Sequence, residues 1–202
     1  APVSDLADRA TDCADRLREA DRVLLASHID ADGITSAAVA STGLARAGID
    51  HEVVFEKQLD ADSIAGIAAR EFDVVLFTDF GSGQLDAIAD HEDRGDFVPV
   101  IADHHQPADR DTRYHLNPLL EGIDGASELS GAGASYILAR ALEGPDGDNR
   151  DLAGLAAVGA VGDMQDSADG LVGANESIVA DGVDAGVLDA QTDLDLYGRQ
   201  TR

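Results

Sequence analysis

Lysine is almost absent from this chain: Lys57 stands alone among 202 residues. Cysteine is as scarce. Cys13 is the only one, so no intrachain disulfide can close. That suits a reducing cytoplasm, where the chain is expected to reside. No Cys/His pattern for a structural zinc exists. Long apolar runs are missing too. None approaches the roughly 18 to 20 residues of a membrane span, so no membrane partner is expected. Internal repeats and low-complexity tracts are absent.

Acid fills the space that base leaves. The formal net charge is -26, from 14 basic and 40 acidic residues. A fold with this charge repels itself in dilute buffer. In about 1 M salt the Debye length is only about 3 Å, and the repulsion is largely screened. The composition reads as adaptation to a salt-rich cytosol, as in haloarchaea. The other reading is an acidic protein that avoids or mimics nucleic acid. A halophilic protein lacks the usual basic footprint, so the charge does not exclude a nucleic-acid partner. Hydrophobic residues make up 44%, enough for one globular domain with a full core.

Strands and helices alternate along the chain. "RVLLASH" (22–28), "HEVVFEK" (51–57), "DVVLFTD" (73–79) and "FVPVIAD" (97–103) read as strands. "YHLNP" (114–118) reads as a short fifth. Helical patterns are expected over 3–20, 34–47, 60–71, 82–93, 130–142, 151–164 and 170–182. Pro99 points to an edge or irregular pairing. The pattern predicts an α/β fold, with a mainly parallel sheet of about five strands flanked by helices on both faces.

In such a sheet, ligands bind beyond the carboxyl ends of the strands. The first strand brings His28, Asp30 and Asp32 there, in "SHIDADGITS". Their two-residue spacing in extended chain would aim them one way, with Gly33 turning into the next helix. The third strand brings Asp79. The fourth brings Asp103, His104 and His105, in "IADHHQP". Taken singly these could be polar turns, caps or a surface pair. Together they put acids and imidazoles on one sheet edge. Like charges so close need a cation between them. Carboxylates mixed with imidazoles suit Mn²⁺ or a similar divalent ion better than thiolate-bound zinc. The number of groups fits two ions, about 3.5 to 4 Å apart. "VGAVGDMQD" adds Asp163 and Asp166, where a polar helix end is the alternative. "SGAGAS" offers Ser130, Gly131 and Gly133 at a helix start whose N–H groups could hold a substrate phosphate; close helix packing is the alternative. His51, His91 and His115 read as structural or exposed.

"SHIDADGITS", "TDFG", "ADHHQP" and "VGAVGDMQD", in this order, resemble the four motifs of the DHH phosphoesterases, named for the Asp103-His104-His105 triplet. "NPLLEG" and "ELSGAGASYILA" resemble the segment after the triplet in RecJ-like single-strand exonucleases. The resemblance spans about residues 22 to 166. His28 stands where bacterial RecJ proteins usually carry Asp, as in archaeal members. The resemblance implies that residues 1–202 form the DHH catalytic domain, without the DHH-associated second domain that the family normally adds.

It also implies roles. One metal would take His28, Asp30 and Asp79. The other would take Asp32, Asp79, His104 and Asp163, with Asp79 bridging. Mn²⁺ is the expected ion, with Mg²⁺ or Co²⁺ as alternatives. His105 would contact the scissile phosphate, and Asp103 would orient a histidine. The implied activity is hydrolysis of single-stranded DNA or RNA to mononucleotides, in repair or replication. Other substrates known in the family are short oligoribonucleotides, cyclic dinucleotides and pyrophosphate. Some relatives are non-catalytic replisome scaffolds that bind GINS. Those scaffolds lose metal residues, whereas every motif position is filled here.

Overall fold

The computed structural model describes residues 2–167 and 170–190. Its centre is a five-stranded sheet in the order β2-β1-β3-β4-β5. The strands are β1 (Arg22–His28), β2 (Asp50–Glu56), β3 (Val74–Thr78), β4 (Val98–Ala102) and β5 (His115–Leu116). All neighbours pair in parallel. The helices are α1 (Ala7–Arg18), α2 (Ala31–Arg46), α3 (Ala61–Ala68), α4 (Leu85–Arg94), α5 (Gly131–Ala141), α6 (Ala153–Gly162) and α7 (Gly173–Asp184).

β1 and β3 lie inside the sheet and are buried on both faces, hence their unbroken apolar runs. Their side chains alternate between two cores. Val23, Leu25, Val74 and Leu76 join the larger one, beneath α1, α2 and α5. Leu24, Ala26, Val75 and Phe77 join the smaller one, beneath α3 and α4. β5 pairs only with Ile101 and Ala102, so the outer side of β4 is open beside Pro99. Val98 N–H bonds toward β3 and Ile101 N–H toward β5. Alternation therefore points the missing Pro99 donor to the open side, where it costs no ladder bond.

The sheet order reverses direction between β1 and β3. That switch point opens a crevice at the carboxyl ends of the strands. β1, β3 and β4 all end there. One boundary differs from expectation in a way that matters. α2 begins at Ala31, not at residue 34, because Asp30 is its N-cap and accepts from Gly33 N.

Candidate metal centre

The early start of α2 changes how the first motif converges. His28 ends β1, Asp30 caps α2, and Asp32 lies in its first turn. An extended run over 28–32 is therefore corrected to a strand, a cap and a helical turn. Gly33 serves close approach: a Cβ there would lie 2.3 Å from the His28 carbonyl oxygen. His28 Nδ1 is 2.9 Å from Asp30 Oδ2 and 3.7 Å from Asp79 Oδ2. Burial opposes charge on Asp30, but the Gly33 N–H and His28 outweigh it and hold its pKa below the ordinary value.

Asp79 follows β3 in the left-handed region, at φ 60°, a conformation that costs about a kcal/mol or more for a non-glycine residue. Its N–H still bonds to Ala102 O. The turn places a nearly fully buried carboxylate between two histidines. Oδ2 faces His28, and Oδ1 stands 3.3 Å from His104 Nε2. Burial, partly offset by His104, pushes the Asp79 pKa up to about 8, with Asp32 and Asp103 adding to the rise.

The triplet after β4 divides its work. Asp103 is fully buried and faces donors on several sides. It accepts from Ser82 N, His104 N, His105 N and His105 Nδ1. Burial works against its charge, yet His105, His104 and these N–H groups hold its pKa well below the usual carboxylate range. The bond to Asp103 raises the His105 pKa, while burial opposes the rise. With Nδ1 engaged, His105 keeps Nε2 for a cleft of about 690 Å³. This cleft is also lined by His28, Asp30, Asp79, Asp163 and Lys57.

His104 is fixed differently. Its Nδ1 is 2.7 Å from the Gly125 carbonyl, so that nitrogen carries the donated hydrogen. Nε2 then faces only carboxylate oxygens, at 3.3 Å from Asp79, 3.7 Å from Asp32 and 3.8 Å from Asp163. Burial opposes a charge on His104, but Asp79, Asp103 and Asp32 push its pKa up to about 10.

Two of the groups able to hold a metal are His28-Asp30-Asp79 and Asp32-His104-Asp163. Within each, one ligand atom per residue lies within 4.8 Å of the others. Asp79 Oδ2 and His104 Nε2 are buried with no hydrogen-bond partner. Such atoms are costly to bury unsatisfied. A divalent cation would satisfy both, so the residues present fit a metal. Asp166 is exposed and lies outside these groups.

The phosphate reading of Ser130, Gly131 and Gly133 is corrected. The N–H groups of Gly131 and Ala132 both donate to Asp32, at 2.7 and 2.9 Å. Gly133 N bonds to Ser130 Oγ, and Ser130 N to Asn175 Oδ1. The helix start is already filled by a carboxylate of the same chain. Close packing is its role: a Cβ on Gly131 would lie 2.5 Å from Asp79 Oδ1. The Asp32 pKa is still raised, because burial exceeds the effect of these N–H groups and of His104.

Sequence reasoning missed the polar support. Ser82 Oγ is 2.8 Å from His115 Nε2 and accepts from Asn117 Nδ2, which also reaches the His105 carbonyl. Burial pushes the His115 pKa down to about 4. Gln165 donates to Asp163, and Asn175 donates to Gln165. Ser82 finds His115 and Asn117 more than 30 residues away in the chain, so no local spacing marks that group.

A family model described as the DHH family, N-terminal domain, matches residues 22–160. The chain belongs to the DHH family. An uncharacterized protein of Methanocaldococcus jannaschii is 31% identical over 123 residues, 56% of this chain and 27% of that protein. The single-stranded-DNA-specific exonuclease RecJ of Salmonella typhimurium is 30% identical over 136 residues, 62% of this chain and 23% of RecJ. The chain thus spans about a quarter of each curated relative's length. Among solved structures, RecJ in complex with Mn²⁺ from Thermus thermophilus aligns with a TM-score of 0.69 at 25% identity, covering 91% of this chain and 27% of that one. CDC45 from Entamoeba histolytica shares the fold, with a TM-score of 0.64 at 17% identity over 93% of this chain and 40% of that one.

Proposed function

We propose that this DHH domain is a metal-dependent phosphodiesterase that hydrolyses single-stranded nucleic acid to mononucleotides, as a RecJ-like exonuclease of a salt-rich cytoplasm. The observation that carries the proposal is the position of Asp79, one buried carboxylate whose Oδ2 faces His28 at 3.7 Å and whose Oδ1 faces His104 at 3.3 Å. His28, Asp30 and Asp79 would hold one ion. Asp32, Asp79, His104 and Asp163 would hold the other. Mn²⁺ suits this donor set, and Mg²⁺ or Co²⁺ are alternatives. When bound, such ions polarise a phosphoryl oxygen and acidify a water.

The chain's own groups do the rest. His105 presents Nε2 to the cleft and, when protonated, donates to a phosphate oxygen as negative charge builds. Asp103 holds the ring by Nδ1 and raises its pKa, which favours the protonated form. The Gly125 carbonyl fixes the His104 tautomer, so that Nε2 faces the carboxylates. Lys57, the one lysine of the chain, also lines the cleft, where it can meet a neighbouring phosphate. Among the described residues no helix is long and apolar enough to cross a membrane. The complete donor set supports an enzyme over a GINS-binding scaffold.

The test is digestion of end-labelled single-stranded DNA and RNA with Mn²⁺ in high KCl. Oligoribonucleotides, cyclic dinucleotides and pyrophosphate run in parallel. Metal-dependent release of mononucleotides from a single strand is expected. Turnover of only a small substrate would reassign the substrate class. No turnover of any of them would remove the enzymatic reading.

A further inference from the structure

We propose that Gln165 is a positioning residue for the Asp32-His104-Asp163 half of the metal centre, and that Asn175 sets which way its amide faces. The inference rests on the metal-centre reading above and extends it to residues with no ligand atom of their own.

The local chain explains why Gln165 is there. α6 ends at Gly162, and Asp163 forms its C-cap. Met164 then takes φ 56° and points to solvent, 85% exposed. That turn sends Gln165 inward, where it is buried and its N–H closes onto Ala160 O. Its side-chain nitrogen has two hydrogens and two acceptors. One is Asp163 Oδ2 at 2.8 Å, and the other is the Gly125 carbonyl at 3.0 Å. Gly125 O is also the acceptor that fixes His104 Nδ1. A single amide nitrogen therefore restrains a carboxylate beyond a helix end and supports the carbonyl that orients the histidine.

The direction of the amide follows from a backbone anchor. Ser130 N can only donate, and it donates to Asn175 Oδ1 at 3.3 Å. That places Asn175 Nδ2 against Gln165 Oε1, at 2.7 Å. Gln165 Oε1 is thereby held away from Asp163, and Nε2 faces it. A flipped amide would set an oxygen against two other acceptors, the carboxylate and the Gly125 carbonyl. Gln165, Asn175 and Ser130 are all buried, so water is poorly placed to substitute. Asn175 sits near the start of α7, and its N–H bonds to Glu128 O. The orientation is thus built into the packing of α7.

The experiment is a Mn²⁺ titration of the whole chain in high KCl, followed by calorimetry and by the EPR signal of free Mn²⁺. It compares wild type, Gln165→Leu and Asn175→Asp. Leucine removes both donors at similar volume. Aspartate keeps the acceptor for Ser130 N but offers Gln165 a second acceptor, which favours the flipped amide without touching Gln165 itself. Wild type should bind two ions. Each variant should keep one ion at wild-type affinity and bind the other about 10- to 100-fold more weakly, the usual range for removing a group that orients a ligand. Should Gln165→Leu not fold, the Asn175→Asp titration decides alone. Unchanged affinity for both ions, or an equal loss at both, overturns the positioning role. A wild type that binds no Mn²⁺ overturns the metal-centre reading itself, and this inference with it.

Discussion

His104 Nε2 stands 3.3 Å from Asp79 Oδ1 inside the fold, and neither His104 Nε2 nor Asp79 Oδ2 has a hydrogen-bond partner. Without an ion, the favourable arrangement of such a pair is to hold protons. Burial raises the Asp79 pKa to about 8, and the surrounding carboxylates overcome burial to raise His104 to about 10. A divalent cation must displace what they hold. Apparent Mn²⁺ affinity should therefore rise from pH 6 to pH 8, by about tenfold per unit for each proton released. Calorimetry in two buffers of different ionisation enthalpy counts those protons. Affinity independent of pH, with no proton release, would show that this pair does not bind the metal.

The second prediction concerns His105. Its role as a donor requires the protonated ring, and Asp103 raises its pKa. In Asp103→Asn the ring loses that support and its pKa falls. The protonated form then disappears at lower pH, so the basic limb of the pH–rate profile should move toward acid. A profile with its basic limb unmoved would remove His105 as the titrating donor.

Gly131 tests the packing at the centre. A Cβ at this position would lie 2.5 Å from Asp79 Oδ1 and 2.8 Å from Asp79 Cβ. Gly131→Ala should displace the Asp79 carboxylate, weaken metal binding and destabilise the fold by about 1–3 kcal/mol, as overpacking does. Thermal unfolding with and without Mn²⁺ reads both effects. Wild-type stabilisation by Mn²⁺ in this variant would mean that the Asp79 position is not critical.

Much of this architecture is legible in the sequence, for physical reasons. β1 and β3 are buried on both faces, so they appear as uninterrupted apolar runs. The acids and imidazoles follow those runs directly, because the crevice lies at the strand ends. Asp32 shows where the reading fails. A two-residue spacing suggests extended chain, but the Asp30 cap starts a helix at once. The N-terminus of α5 reads as free in the sequence because its partner, Asp32, lies 99 residues earlier in the chain. Gln165 lies between Asp163 and Asp166, in a stretch that also reads as a polar helix end. Only the turn at Met164 and the contact with Asn175 give it direction.

Charge carries a prediction about stability. The net charge of -26 and the single lysine imply strong self-repulsion, screened over about 10 Å in 0.1 M salt and far more tightly in molar salt. The unfolding temperature should rise steadily from about 0.1 M to about 3 M KCl. A flat response would contradict adaptation to high salt.

The central claim is that Asp79 joins two metal sites while His105 serves only the substrate. Metal content by elemental analysis, measured beside single-turnover rates, tests it most directly. Wild type should hold two ions. Asp79→Ala should lose metal and activity together. His105→Ala should keep both ions and slow turnover about 100-fold or more, as loss of one oxyanion donor does. Loss of metal from His105→Ala would make His105 a ligand, and an Asp79→Ala variant with both ions and full rate would contradict the two-metal account.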